Sequence, residues 1–238
     1  MAGKFGILST FEFLQDWASA LIAGINPALV HNVEKYYALK KVHYLSAIED
    51  VEGDYLEFGV FTGSSFCHSI RCCRRLTALN TRITQTRFVG FDSFRGFGTL
   101  ADEDKHPFYT DETFETSLLQ VERRVRRVAG TMAYRLVPGF FSDTLAVAPS
   151  HYGIHRSRII FVDSDTYTSA RDALTFCLPT VQEGTFVILD DYYSYRGSED
   201  RGVAKAFAEF AARGALTVRQ VFTYGMGGAV YIVSAKRG

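Results

Sequence analysis

Residues 55–65 read Tyr-Leu-Glu-Phe-Gly-Val-Phe-Thr-Gly-Ser-Ser, and this stretch sets the fold. An apolar run breaks on Gly59, then on Gly63, and a helical pattern follows over 64–76. Such a passage is a strand entering a helix through a tight turn. Glycine at the end of a first strand lets the backbone approach a ligand closely, and the N–H groups that start the helix face the same crevice. Two glycines also occur in ordinary strand-to-helix turns, so the pair alone leaves the ligand open.

Working outward, strand patterns fall at 55–60, 87–91, 134–137, 159–162 and 185–189. Helical patterns lie between them at 64–76, 111–128 and 169–181. The run Ile159–Val162 is continuously apolar, as a strand buried on both faces must be. Alternation of this kind predicts a parallel sheet with helices on both sides. A helix at 202–213 then precedes strands near 216–221 and 229–234, with a turn over 224–228 suited to antiparallel neighbours. The expected fold is α/β and Rossmann-like: a mostly parallel seven-stranded sheet whose last strand is antiparallel.

Upstream, the sequence reads as two helices. Ser9 and Glu12 form a capping box, followed by Phe11, Leu14, Trp17, Leu21 and Ile22 at helical spacing. Gly24 ends that run, and Asn26-Pro27 starts the next. Its apolar positions are Val30, Val33, Tyr37, Val42, Leu45 and Ile48, with a stop near Gly53. Residues 1–53 are thus expected as a helical extension or lid, and 54–238 as one globular unit.

The 26 Lys plus Arg balance the 26 Asp plus Glu. A neutral chain gives no electrostatic steering toward nucleic acid or a membrane surface. The run Arg123, Arg124, Arg126 and Arg127 reads as a solvated helix face. The spacing of Cys67, Cys72, Cys73 and Cys177 fits no zinc pattern. Reduced thiols and the lack of a signal-peptide pattern point to the cytoplasm.

The second strand carries the next clue. It reads Phe88-Val-Gly-Phe-Asp92-Ser93, with the acid at its C-terminal end. A carboxylate there accepts hydrogen bonds from both ribose hydroxyls of a nucleoside. The spacing Gly59-x-x-x-Gly63 lacks the third glycine of the dinucleotide fingerprint. That favours S-adenosylmethionine (SAM), which has no pyrophosphate to cradle.

Two more strand ends carry acids, in Asp163-Ser-Asp165 and Asp190-Asp191. Carboxylates crowded over one crevice repel unless a cation neutralises them, and an all-oxygen set completed by water suits Mg²⁺. Asp163, Asp190 and Asp191 are the expected ligands, with Asp165 an alternate ligand or a group behind them. The alternative role, helix capping, fits Asp165 better than the adjacent pair.

With these residues in place, the chain resembles the macrocin O-methyltransferase family, metal-dependent sugar O-methyltransferases related in architecture to catechol O-methyltransferase. The matching stretches are YLEFGVFTGSS at 55–65, VGFDSFRG at 89–96, VPGFFSDT at 137–144, IFVDSDTYTSARDAL at 160–174 and GTFVILDDY at 184–192. Two departures stand out: one glycine, Gly184, where the family has two, and an Arg95-Gly96-Phe97-Gly98 turn. The resemblance implies a SAM site along Glu57, Gly59, Val60, Gly63, Ser64, Ser65, Asp92, Ser93, Gly139 and Phe140, with Asp163 beside it. It implies Mg²⁺ on Asp163, Asp190 and Asp191, holding two adjacent hydroxyls of the substrate.

Methyl transfer to a hydroxyl needs in-line alignment and a group to take the proton. His106, in the loop 99–110, is the expected base, with His43 and Tyr167 as rivals, and Asp163 is the other expected catalytic residue. Phe97, Phe108 and Tyr109 can close over the acceptor. The expected partner is a small glycoside or vicinal diol, and the aromatic N-terminal helices suit a homodimer or larger homo-oligomer. A catechol-like acceptor uses the same chemistry. A metal-dependent hydrolase is the rival of a different class, but it leaves Asp92 and the glycine turn without a role. A SAM-fold binding protein that has lost catalysis is a third reading, opposed by the full acid set.

Overall fold

The computed structural model describes residues 12–109 and 114–237. Five apolar runs form the parallel strands β1 (Asp54–Phe58), β2 (Phe88–Asp92), β3 (Tyr134–Pro138), β4 (Ser157–Val162) and β5 (Phe186–Leu189). The hairpin β6 (Leu216–Tyr224) and β7 (Gly228–Lys236) completes the sheet, with β7 antiparallel to both β5 and β6. The order is β3-β2-β1-β4-β5-β7-β6, the expected Rossmann-like arrangement. The order reverses between β1 and β4, and ligands in such sheets bind outside the carboxyl ends at that switch.

The helices are α1 (Glu12–Ala23), α2 (Pro27–Ile48), α3 (Ser64–Leu76), α4 (Leu118–Ala129), the one-turn α5 (Phe141–Thr144), α6 (Tyr167–Cys177), the distorted turn α7 (Ser194–Gly197) and α8 (Gly202–Arg213). Strand residues alternate between the two faces of the sheet. Leu56, Phe58, Ile160, Val162, Val187 and Leu189 share a core with α6 and α8. Tyr55, Phe88, Ile159, Phe161, Phe186 and Ile188 share the other with α2, α3 and α4. Each buried apolar side chain contributes roughly 1.5–3 kcal/mol. No described helix is long and apolar enough to cross a membrane.

Helix α2 corrects the sequence reading. Asn26 caps it as expected, its side chain accepting from Ala28 N. The helix buries Lys35, Ala38, Leu39, Val42, His43, Ser46 and Ala47, while Val30, Val33, Tyr37 and Ile48 are exposed. The buried face is partly polar because buried groups there need partners. Arg158, 1% exposed in β4, donates to Ser46 Oγ at 2.9 Å, Thr86 Oγ1 at 3.0 Å and His43 O at 3.3 Å. The second half of α2 is therefore part of the core, whereas α1 buries none of its residues.

Helix α4 also differs. The pattern over 111–128 becomes Leu118–Ala129. Phe114 takes φ +69°, and Glu115 bridges to Arg95 in extended pairing, so the helix starts after Ser117. Residues 111–113 lie outside the described residues, as do Ser9 of the expected capping box and Phe11 of the apolar run after it. At the departure near β5, the Thr185 hydroxyl donates to Ser157 O at 2.7 Å and accepts from Gln182 N, tying β4 to β5.

Candidate active site

The strand ends are held in a staircase. The first amide past each strand donates to a carbonyl at the end of its neighbour: Gly59 N to Phe91 O, Asp163 N to Phe58 O, Asp190 N to Val162 O and Gly139 N to Asp92 O, all 2.8–3.0 Å. These bonds fix the residues that face the crevice, a cavity of about 840 Å³. Pockets of this size hold drug-sized ligands.

Val60, Ser64 and Ser65 line the cavity along the β1–α3 turn, with Phe61 and Thr62 between them. Phe61 has φ +46°, and its N–H donates to Asp92 Oδ2 at 2.7 Å. Phe94, at φ +56°, donates to Asp92 Oδ1 at 2.6 Å. Asp92 therefore clamps two strained loops while still facing the cavity. Burial pushes its carboxyl up, against these backbone donors. Arg124 donates to Thr62 O at 2.9 Å, so one arginine of the expected solvated face braces the turn instead.

Gly59 lines the cavity, but its demand is internal: a Cβ there would meet Asp163 O at 1.8 Å. Glu57, Gly63 and Gly139 are not among the cavity-lining residues. Glu57 is fully buried and accepts from Ser65 Oγ at 2.6 Å and from the Tyr55 hydroxyl. Burial pushes its carboxyl up to about 7. Glu57 thus holds Ser65, which faces the cavity in its place. Ser93 lines the cavity, its hydroxyl spent on Gly96 O at 2.6 Å. Phe140, Phe141 and Ser142 form the wall after β3.

Asp163, Asp190 and Asp191 each offer an oxygen within 4.8 Å of the others. Lys35 Nζ reaches Asp163 Oδ2 at 2.9 Å and Asp190 Oδ2 at 2.6 Å. His31 Nε2 lies 3.1 Å from the same Asp190 oxygen, and the Tyr224 hydroxyl donates to Asp190 Oδ1 at 2.7 Å. Burial opposes the charge on Lys35, yet the Asp163 and Asp190 carboxylates outweigh it and hold the ammonium above its ordinary value. Burial likewise opposes charge on Asp190, but Lys35 and His31 hold it ionised, below the usual carboxylate range. Asp163 and Asp191 are pushed up by burial and by neighbouring carboxylates.

The donor set fits a hard divalent cation. All three ligands are carboxylates, and Asp191 Oδ2 is buried without a hydrogen-bond partner. Its other oxygen has long contacts, from the Tyr109 hydroxyl at 3.4 Å and the Ser194 hydroxyl at 3.5 Å. Asp165 lines the cavity beside the trio at φ +61°, its carboxyl pushed up to about 7 by burial and by Asp163.

The structure does not bring His106 to these acids. Its ring stacks on Tyr109 at 4.5 Å and meets Tyr195 edge-on at 5.1 Å, and Tyr109 reaches Asp191 instead. His43 is fully buried between Tyr55 and Phe88. The Tyr167 hydroxyl turns to Glu209 at 3.1 Å. Of the three aromatics expected over the acceptor, Phe97 and Phe108 line the cavity and Tyr109 does not.

Sequence reading missed His31, Lys35 and Tyr224. His31 and Lys35 stand one turn apart on α2, a spacing that puts them on one face. Tyr224 closes β6 beside Gly225, with no signal of its own.

A family model for macrocin-O-methyltransferase (TylF) matches residues 28–219. The chain is 32% identical over 181 residues to mycinamicin III 3''-O-methyltransferase of Micromonospora griseorubida, covering 70% of this chain and 66% of that protein. It is 30% identical over 178 residues to demethyldecarbamoylnovobiocin O-methyltransferase of Streptomyces niveus, covering 70% and 64%. The matches thus span 64–66% of these curated relatives' own length. Among solved structures, the O-methyltransferase NovP superposes with a TM-score of 0.67 at 25% identity, covering 84% of this chain and 79% of that one. The calicheamicin methyltransferase CalS11 shares the fold, with a TM-score of 0.65 at 17% identity over 83% and 77%. On the class I methyltransferase fold, the chain belongs to the macrocin-O-methyltransferase (TylF) family.

Proposed function

We propose that the chain transfers a methyl group from SAM to a hydroxyl of a sugar on a glycosylated natural product, with a divalent cation, Mg²⁺ by its donor chemistry, on Asp163, Asp190 and Asp191. The observation that carries this reading is one shared cavity. The strained β1–α3 turn, Asp92 and the three clustered acids all open into it. The curated relatives bear names of natural-product O-methyltransferases.

Each group has a task the geometry permits. Asp92 accepts from the ribose hydroxyls of SAM, with Ser64, Ser65 and Phe140 around the rest of the donor. A cation bound to the three acids supplies a Lewis acid that lowers the pKa of the acceptor hydroxyl. Asp165, rather than His106, takes the proton, because it lines the cavity beside those acids. Walls formed by Phe61, Phe97, Phe108 and Phe114 exclude water and seat an apolar body.

The charge of the lining narrows the acceptor. Asp92, Asp104, Asp165 and Asp172, the last paired by Arg171 at 2.9 Å, line the same cavity as the three clustered acids, and no arginine lines it among the described residues. The lining lysine, Lys35, is engaged by Asp163 and Asp190. A sugar nucleotide would bring its diphosphate against this field, so a neutral or cationic glycoside suits it better. A catechol also satisfies the acids but leaves the far aromatic walls unfilled.

The test is methyl transfer from labelled SAM to a panel of glycosides, catechols and sugar nucleotides. Glycosides are expected to be methylated and sugar nucleotides not. Exclusive turnover of catechols would redirect the acceptor assignment. Chelation with EDTA is expected to abolish transfer while calorimetric SAM binding persists; full activity without metal would remove the cation from the reading. Asp165→Asn is expected to lower kcat by about 10²–10⁴-fold with KM for SAM little changed. Wild-type kcat in that variant would return the proton to another group.

A further inference from the structure

Lys35 is a charged group in the crevice to which the methyl-transfer reading gives no task. Its side chain is 11% exposed, and its ammonium bridges Asp163 Oδ2 and Asp190 Oδ2. Those oxygens belong to the carboxylates proposed to hold the divalent cation. A cation seated on both would face a second cation held by the same two atoms. Like charges at that separation repel strongly in a site so poorly solvated.

The lysine is not free to swing away alone. It sits on α2, one turn after His31, whose Nε2 also addresses Asp190 Oδ2. His31 Nδ1 accepts from Met226 N, so Nε2 carries the proton and donates to the carboxylate. The same turn of α2 brings Asn32 to the cavity wall. Below it, Nζ lies 5.9 Å from the Phe161 ring centroid, a weak cation–π perch. Helix α2 is thus strapped to the ends of β4 and β5 through the acids themselves.

We propose that Lys35 is an internal counter-cation that competes with the divalent ion for Asp163 and Asp190, so that loading the metal requires its ammonium to withdraw. This rests on the metal reading above and goes beyond it. The lysine holds the acid cluster together when no ion is bound, and it lowers the affinity for the ion. It is a positioning residue, acting through the two aspartates.

The experiment is Mn²⁺ titration of the SAM-free protein, read by calorimetry and by the electron paramagnetic resonance of free Mn²⁺. Variants Lys35→Met, Lys35→Gln and Lys35→Arg are checked first for folding by circular dichroism. Lys35→Met and Lys35→Gln are expected to bind Mn²⁺ at least about tenfold more tightly than wild type, a gain of about 1.4 kcal/mol. Lys35→Arg keeps the charge and is expected to stay near wild type. Equal or weaker binding in the neutral variants overturns the competition while leaving the metal site standing. No Mn²⁺ binding to any form overturns the metal reading and the competition with it. Should the neutral variants not fold, hydrogen exchange in wild type decides. Faster exchange over residues 28–39 on adding Mn²⁺ supports displacement, and unchanged or slower exchange overturns it.

Discussion

Alanine at Gly59 is expected to cost the protein most of its stability. Gly59 has φ +95°, which disfavours any side chain, but the closer obstacle is backbone. An added Cβ would lie 1.8 Å from Asp163 O and 2.7 Å from its carbonyl carbon. Neither side can yield cheaply. Gly59 N is bonded to Phe91 O, and Asp163 N to Phe58 O, so relief on one side breaks the ladder on the other. The cost belongs with the largest single-site effects, above about 4–5 kcal/mol, against a total stability of about 5–15 kcal/mol. Soluble yield should collapse, or the thermal midpoint should fall by roughly 10–20 °C. Gly63→Ala is the control. Its Cβ would meet side chains rather than backbone, Val121 at 3.0 Å and Val125 at 3.9 Å, so a smaller loss is expected despite φ +73°. A wild-type midpoint for Gly59→Ala would contradict the close approach. The glycine that suggests a ligand is thus required by the chain's own β4 end.

The strands were legible because burial on both faces writes continuous apolar runs such as Ile159–Val162. Their parallel direction followed from the alternation with helices, whereas their order is a matter of long-range pairing that no local pattern records. The acids were legible for the reverse reason: carboxylates at the ends of apolar strands have no packing role. What stayed hidden lies on α2. Its exposed face carries Val30, Val33, Tyr37 and Ile48, while its buried face carries Lys35, His43 and Ser46. Periodicity assigns the apolar stripe to the core. Here buried charges elsewhere override it: Arg158 draws in Ser46 and the His43 carbonyl, and Asp163 and Asp190 draw in Lys35. Those partners are distant in sequence, so no local pattern announces them. His106 misled for a related reason. A histidine in a loop near a crevice looks available, but three-dimensional packing gave its ring to Tyr109 and Tyr195.

Asp92→Ala is expected to weaken SAM binding by about 10²–10⁴-fold. Two charge-assisted hydrogen bonds to ribose hydroxyls contribute roughly 1.5–3 kcal/mol each. The same carboxylate also accepts from Phe61 N and Phe94 N, both in left-handed conformations that relax without it. Weaker binding alone therefore has two explanations, direct contact or a slackened loop. A cycle separates them. S-adenosylhomocysteine and its 2′,3′-dideoxy analogue are titrated into wild type and Asp92→Ala by calorimetry. If Asp92 holds the ribose, wild type prefers the hydroxylated ligand strongly and the variant loses that preference, giving a coupling energy above about 1 kcal/mol. If Asp92 only braces the loops, both ligands weaken equally and the coupling vanishes, which would remove the ribose assignment. Asp92→Asn sharpens the result. Its single oxygen can serve one backbone N–H, while its amide turns a donor toward the other, so the loop suffers even where ribose contact survives.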